Sequence, residues 1–178
     1  MKIVIIGNGG SGKSTLGFKL SGELGIAVTH LDKLSRRKDF VNITEQKFTI
    51  DLYEVFKNKD WIIEGWAYQS TVYERLKRAD VIIYLKYPLD FCVREAVKRN
   101  REYHNRKYPF DPFEGDRNSK ERMLIDAINR VHDKHEPVLQ LWIKEFKNDP
   151  NKKIIEFTSR DELNKNYDQL AAGLKQLF

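Results

Sequence analysis

Cysteine is almost missing from this sequence, and long hydrophobic runs are missing altogether. The single cysteine, Cys92, has no partner for an internal disulfide bond, and a lone thiol is typical of a reducing cytosol. Cys92 also falls in the apolar pattern of a predicted helix, where we expect it to pack as a small hydrophobe. No segment approaches the roughly 20 apolar residues that a membrane-spanning helix requires. We therefore expect a cytoplasmic protein without membrane contact.

Repeats, low-complexity tracts and Gly/Ser-rich linkers are also lacking, so nothing divides the 178 residues into parts. This length suits one domain, and we expect a single domain over 1–178. Charge, in contrast, is abundant, because 32 Lys and Arg against 26 Asp and Glu give a net charge of +6. A basic surface favours anionic partners, which include nucleotides, phosphorylated metabolites and nucleic acid.

Short apolar runs alternate with helical patterns along the chain. Strands are predicted at residues 2–6, 26–31, 61–65, 79–85 and 152–157. Helices are predicted at 14–24, at 45–57 with Thr44 as the N-cap, at 70–77 and at 90–103. A long helical pattern begins at Ser119 and is interrupted at Pro137, and a last helix follows the capping pair Ser159 and Glu162. Residues 104–118 have the composition of a loop. Strands this short and apolar need helical crossovers, so we expect a three-layer α/β/α sandwich with a five-stranded parallel sheet.

The residues after the first strand match the phosphate-binding pattern G-x-x-x-x-G-K-[ST] in full. The matching stretch is Gly7, Asn8, Gly9, Gly10, Ser11, Gly12, Lys13, Ser14 and Thr15. Its glycines let successive backbone N–H groups turn toward one point at a helix N-terminus. Lys13 would reach the β- and γ-phosphates of ATP, and the Ser14 hydroxyl would ligate Mg²⁺. An ordinary Gly-rich turn with a surface lysine is the alternative, but the complete match between a strand and a helix favours a phosphate cradle.

Acidic residues follow the next two predicted strands, at the sheet edge where parallel sheets bind ligands. Asp32 is a candidate general base or a group that positions the substrate or a metal-bound water, although it could also cap the next turn. After the third strand, Glu64, Gly65 and Trp66 are candidate contacts of the phosphoryl acceptor. Trp66 could equally pack under the next helix. His30 is expected to be structural.

The helix predicted at 90–103 carries several basic side chains. Arg94 and Arg99 are the candidates for contacting the transferring phosphate, because phosphoryl transfer gains from cations around the moving group. The alternative is a solvated basic face, which is what most runs of charge are. We expect the region at about 90–135 to form a mobile helical lid, because closure over such a site excludes water.

Five segments together resemble the P-loop nucleoside and nucleotide kinase superfamily: KIVIIGNGGSGKSTL at 2–16, HLD at 30–32, WIIEGWAY at 61–68, ADVIIYL at 79–85 and REAVKRNR at 94–101. More narrowly, the chain looks like the adenylate-kinase-like DNA topology modulation (FlaR-related) proteins. The resemblance implies a P-loop NTPase fold in which the residues from Gly7 to Thr15 bind ATP and Mg²⁺. It also implies that Asp32 lies on the acceptor side, that Arg94 and Arg99 begin the lid, and that the segment around Arg160 passes the adenine.

The chain departs from these proteins on the acceptor side. It has EGWAY where they usually have Asp-Gly-Asn-Tyr, and KLSRRKDF follows its HLD where a tryptophan is usual. The acceptor therefore stays open. A hydroxyl acceptor would suit Asp32 as a general base, whereas a nucleoside monophosphate would require arginines, for which Arg36 and Arg37 are candidates.

These features favour an ATP-dependent kinase that transfers the γ-phosphate of ATP to a nucleotide, a nucleoside or a similar small acceptor. A P-loop ATPase or regulatory switch is one alternative, but the chain has neither the guanine-reading N-K-x-D motif nor a strand that ends in an Asp-Glu pair. A polynucleotide-associated kinase is another. The basic residues are mixed with acidic ones and match no DNA-binding motif, so nucleic acid is possible but not favoured. The sequence does not indicate an oligomeric state.

Overall fold

The first strand, β1 (Lys2–Gly7), has four branched aliphatic side chains that expose no surface. A strand buried on both faces belongs in the middle of a parallel sheet. In the computed structural model, which describes residues 1–35, 42–102 and 121–177, β1 pairs in parallel with β3 (Trp61–Glu64) and β4 (Val81–Leu85). The strand β2 (Val28–His30) lies beside β3, and β5 (Lys153–Phe157) lies beside β4. The sheet order is therefore β2-β3-β1-β4-β5.

Helices cover both faces of this sheet. In the described ranges they are α1 (Lys13–Leu24), α2 (Leu31–Leu34), α3 (Glu45–Phe56), α4 (Val72–Arg78), α5 (Leu89–Glu102), α6 (Glu121–Arg130), α7 (Glu136–Phe146) and α8 (Arg160–Lys175). Alternation along β1 sends Ile3 and Ile5 to the core shared with α1, α5, α6 and α8, and Val4 and Ile6 to the core shared with α2, α3, α4 and α7. The predicted three-layer sandwich is confirmed. None of these helices is long and apolar enough to cross a membrane.

Side-chain caps begin two of the helices where the sequence predicts them. Thr44 accepts a hydrogen bond from the Lys47 N–H at 3.2 Å, and Ser159 accepts one from the Glu162 N–H at 3.1 Å. Each such cap is worth about 1 kcal/mol. The Glu162 carboxylate in turn accepts a hydrogen bond from the Thr158 N–H at 2.7 Å, and this bond lowers the pKa of Glu162. The capping pair at the start of α8 is therefore present.

Several boundaries differ from those predicted. The sequence predicts the second strand at 26–31, but β2 ends at His30 because α2 begins with the next residue. A 3₁₀ turn (Gln69–Thr71) comes before α4, inside the helix predicted at 70–77. The long pattern from Ser119 is interrupted before Pro137, by a π-helical turn (Val131–His135). Pro137 itself lies in the first turn of α7, directly after the π-helical turn. The predicted loop at 104–118 lies outside the described residues.

Candidate functional site

The loop between β1 and α1 is folded around its own backbone. The Asn8 carbonyl accepts hydrogen bonds from Ser11 Oγ at 2.8 Å and from Lys13 Nζ at 2.7 Å. Gly10 has a φ of +81°, and a Cβ on this residue would lie 2.1 Å from the carbonyl oxygen of Cys92. A side chain at position 10 would therefore collide with α5 as well as strain the turn. The loop has the glycine-dependent shape of an anion cradle at a helix N-terminus.

A cleft of about 360 Å³ opens over this loop. Loop residues from Gly9 to Thr15 form its floor, and residues of α1, α2, β3, α5 and α8, together with Tyr87 between β4 and α5, form its walls. The lining residues beyond the loop are Leu16, Lys19, Asp32, Glu64, Tyr87, Glu95, Arg99, Arg160, Leu163, Asn164 and Tyr167. Gly7, the last residue of β1, and Asn8 are buried and do not line the cleft. Thus seven of the nine residues from Gly7 to Thr15 line this space.

Lys13 is the cation at the centre of the site. Burial lowers the pKa of its ammonium group, while the negative charges of Glu64 and Asp32 act in the opposite direction. The two acids and the lysine therefore share one electrostatic environment, although they come from three different elements. This meeting of charges at the ends of neighbouring strands is what the sequence predicts for Asp32 and Glu64.

Glu64 contacts His30, a residue for which the sequence predicts a structural role. His30 Nδ1 lies 2.6 Å from Glu64 Oε1, and the two residues are register partners on β2 and β3. Each residue is the last of its strand, so the same sheet edge carries both. Both residues can be read from the sequence, but only the pairing of β2 with β3 shows that they meet.

The turn after β3 is fixed by Arg75 of α4. This arginine is completely buried, and its guanidinium donates to the carbonyls of Gly65 at 3.0 Å, Trp66 at 2.7 Å and Thr71 at 3.2 Å. Burial lowers the pKa of Arg75 to about 9. Two residues of the turn have positive φ, +114° at Gly65 and +50° at Ala67. Arg75 therefore holds a turn whose backbone is partly strained.

Trp66 and Gly65 do not line the cleft. The Trp66 ring packs at 5.9 Å from the ring of His135, which belongs to the π-helical turn, and the ring is also part of the core under α3 and α4. A Cβ on Gly65 would lie 3.3 Å from the Cβ of Leu31, so glycine lets the turn pass close to α2. Direct acceptor contact by either residue stays a prediction.

The predicted basic residues separate into two groups. Arg99 lines the cleft, and its charge contributes to lowering the pKa of Lys13. Arg160 also lines it, where Arg160 Nη1 donates to Glu95 Oε2 at 2.5 Å. Arg94 is exposed and does not line the cleft, and its guanidinium lies 5.4 Å from the centre of the Phe91 ring. Arg36 and Arg37 lie outside the described residues.

Two buried contacts attach the segment from α6 to α7 to the sheet. Asn8 Nδ2 donates to the Ile128 carbonyl at 3.0 Å, which joins the phosphate-binding loop to α6. The Tyr84 hydroxyl donates to Glu136 Oε1 at 2.6 Å, and His132 Nδ1 lies 2.9 Å from Glu136 Oε2. Burial raises the pKa of Tyr84, so this phenol stays a donor. The π-helical turn thus lies between two anchored points.

Two buried tyrosine hydroxyls of the cleft lack hydrogen-bond partners among the described residues. The hydroxyls of Tyr87 and Tyr167 are buried, both residues line the cleft, and neither hydroxyl has a hydrogen-bond partner among the described residues. Burial raises the pKa of Tyr87 to about 12, so this hydroxyl stays protonated at neutral pH. The sequence motifs indicate neither tyrosine, although Tyr87 lies two residues after the end of β4, at the sheet edge where parallel sheets bind ligands.

A metal ion would find few protein ligands here. Across residues 1–35, 42–102 and 121–177, no group of three or more His, Cys, Asp or Glu side chains could hold a metal ion. The Ser14 hydroxyl lies in the cleft beside the cradle. This arrangement suits an ion such as Mg²⁺, which keeps several waters and takes its other ligands from bound phosphates.

Three solved structures show the fold to which this chain is similar. They are a shikimate kinase from Bacteroides thetaiotaomicron (18% identity, 98% of each chain, TM-score 0.59), a shikimate kinase from Acinetobacter baumannii in complex with shikimate (19%, 98% of this chain and 93% of that one, 0.59), and a gluconokinase from Sinorhizobium meliloti 1021 (13%, 97% and 94%, 0.52). No family model and no curated protein matches the chain. The chain therefore has the P-loop α/β fold of these small kinases.

Proposed function

We propose that this protein is an ATP-dependent phosphotransferase that moves the γ-phosphate of ATP to a small-molecule acceptor. One observation carries the proposal: the phosphate-binding loop from Gly9 to Thr15 and two acids that follow neighbouring strands, Asp32 and Glu64, line the same cleft. A cradle alone would only bind phosphate. Asp32 and Glu64, which line the same cleft, could also contact a second reactant. The names of the structural neighbours, shikimate kinase and gluconokinase, support this class of reaction.

The residues present fit ATP and Mg²⁺. The loop residues from Gly9 to Thr15 line the cleft, and they include the Lys13 ammonium and the Ser14 hydroxyl. Lys13 would bind the β- and γ-phosphates, and Ser14 would ligate Mg²⁺, which neutralises phosphate charge when it is bound. Arg99 and Arg160 both line the cleft. Arg99 would stabilise the transferring group, and Arg160 would border the adenine.

The acceptor side is proposed to be the region around Asp32 and Glu64. Acidic side chains there suit an acceptor with a hydroxyl group, which must lose a proton on transfer. They disfavour a phosphate acceptor, whose negative charge they would repel. A likeness to DNA topology modulation proteins, a cytoplasmic location and the lid function of 90–135 stay proposals drawn from the sequence.

A panel of acceptors tests the proposal. Labelled ATP is incubated with the protein and shikimate, other hydroxy acids, sugars, nucleosides, nucleoside monophosphates or oligonucleotides. We expect transfer to a small hydroxyl compound, and Lys13→Ala should abolish it at saturating ATP while the circular dichroism spectrum stays unchanged. Steady ATP hydrolysis with transfer to no acceptor would instead indicate a switch or ATPase. Transfer only to oligonucleotides would indicate a polynucleotide kinase.

A further inference from the structure

Three elements build the position of the Glu64 carboxylate. Glu64 ends β3, and His30 from the neighbouring strand β2 lies 2.6 Å from its Oε1. On the third side lies Gly17 of α1, where a Cβ would stand 3.3 Å from Glu64 Cγ. The absence of a side chain at position 17 therefore makes room for the glutamate. Glu64 therefore occupies a position that is shaped by residues of β2 and α1.

Burial distinguishes Glu64 from the other acid of the site. The side chains of His30 and Glu64 are 13% and 4% exposed, whereas Asp32 is an exposed residue. A buried carboxylate needs hydrogen-bond donors or cations, and here the His30 ring and the Lys13 ammonium supply them. An ionised Glu64 requires the His30 proton on Nδ1, which directs this bond to Oε1. The second oxygen, Oε2, is then the one that can accept a proton.

We propose that Glu64, not Asp32, is the general base of the transfer, and that His30 is its positioning residue. This inference rests on the proposed function. The acceptor hydroxyl oxygen forms a bond to the γ-phosphorus, and the bond from that phosphorus to the β,γ-bridging oxygen of ATP breaks. ADP leaves with the electron pair of the broken bond, and the hydroxyl proton passes to Glu64 Oε2. Asp32 then contacts the acceptor without taking the proton.

Water serves as the test acceptor, because it is the simplest hydroxyl compound and needs no knowledge of the natural one. ATP hydrolysis is measured for the wild type, Glu64→Gln, Asp32→Asn, His30→Leu and His30→Asn, together with ATP binding by a fluorescent analogue. Glu64→Gln keeps the shape and the acceptor oxygen for His30. It should lower kcat by about 10²-fold or more with a nearly unchanged KM for ATP, as expected for loss of a general base. Asp32→Asn should lower kcat less than tenfold.

The His30 variants test positioning separately from folding. His30→Leu removes the donor and should lower kcat by about tenfold, whereas the side-chain amide of His30→Asn places a donor near the Nδ1 position and should restore most of it.

The outcomes separate the two proposals. The assignment of the base is overturned by a Glu64→Gln variant within threefold of the wild type, by one that loses ATP binding, or by a larger loss in Asp32→Asn than in Glu64→Gln. In each of these cases, wild-type transfer to a small acceptor of the panel leaves the proposed function standing. A wild type that binds no ATP, or that binds it without turning it over with any acceptor, overturns both. If His30→Leu does not fold, the comparison of Glu64→Gln with Asp32→Asn still decides.

Discussion

At the scale of single residues, the site depends on where side chains are missing. Gly10 and Gly12 both have positive φ, +81° and +89°, but only Gly10 has a neighbour that a Cβ would strike. Backbone strain and steric collision are therefore separable within one loop. Both glycines allow the positive φ angles of the loop, and Gly10 also allows the loop to pack against the Cys92 carbonyl.

Alanine substitutions in this loop should therefore have graded effects. Gly10→Ala should weaken ATP binding by at least tenfold and destabilise the fold by several kcal/mol, because its Cβ would approach a backbone oxygen at 2.1 Å. Gly12→Ala should be milder, about 1 kcal/mol, since it meets only the strain of a positive φ. Gly22→Ala in α1, with open space around it, should stabilise by about 0.5–1 kcal/mol. Urea unfolding and calorimetric ATP binding measure all three, and equal effects at positions 10 and 12 would contradict the collision.

Cys92 gives a second prediction at this scale. The thiol is fully buried, and burial raises its pKa to about 11. A raised pKa means that the thiol is protonated at pH 8, so the reactive thiolate is scarce. We expect a thiol reagent at pH 8 to label the folded protein at least 100-fold more slowly than the urea-unfolded chain, with a single label per molecule at completion. Rapid labelling of the folded protein would show that the thiol is accessible.

At the scale of elements, Arg75 links α4 to the turn that follows β3. A guanidinium with three carbonyl partners satisfies backbone groups that the irregular turn leaves without strand or helix partners. In the sequence, Arg75 looks like an ordinary polar residue of a short helix. The pattern of apolar residues does not distinguish it from Arg78, three residues later. The difference arises from the turn, which the sequence pattern does not describe.

These two arginines offer a matched comparison. Arg75→Met should lower the free energy of unfolding by about 3 kcal/mol or more, because buried carbonyls lose their donors at about 1–3 kcal/mol each. Arg75→Lys should recover part of this, since an ammonium cannot span all three oxygens. Arg78→Met, which removes a surface ion pair with Glu74, should change stability by less than about 1 kcal/mol. Urea unfolding measures each value, and similar losses at 75 and 78 would show that the clamp contributes little.

The difference between local patterns and long-range contacts explains which features of this protein can be predicted from its sequence. Local patterns predict all five strands, the capped starts of α3 and α8, and the loop from Gly7 to Thr15, because each depends on residues close in sequence. The His30–Glu64 pair joins residues 34 apart, and Asn8 contacts Ile128 across 120 positions. Such contacts depend on strand order and helix packing, which periodicity does not encode. The β2 boundary failed for a related reason, since Leu31 is as apolar as a strand residue but begins a helix.

At the scale of the whole molecule, the two halves of the proposed lid meet at their bases. Arg101 at the end of α5 donates to both carboxylate oxygens of Glu121 at the start of α6, at 2.9 Å and 2.8 Å. Both side chains are largely exposed, so the pair itself adds little stability. The contact shows that the end of α5 and the start of α6 lie close together.

Replacing residues 103–120 by a linker tests the lid. Six Gly and Ser residues span at most about 20 Å, which is enough to join α5 to α6 if their ends lie within side-chain reach. The cradle, Glu64 and Arg99 all lie outside the replaced segment, so we expect a melting temperature within about 5 °C of the wild type and ATP binding within about fivefold. Transfer to the acceptor should fall by more than tenfold relative to ATP hydrolysis, because an open site admits water. A linker variant that transfers phosphate at the wild-type rate, with the same ratio of transfer to hydrolysis, would show that this segment does not exclude water from the reaction.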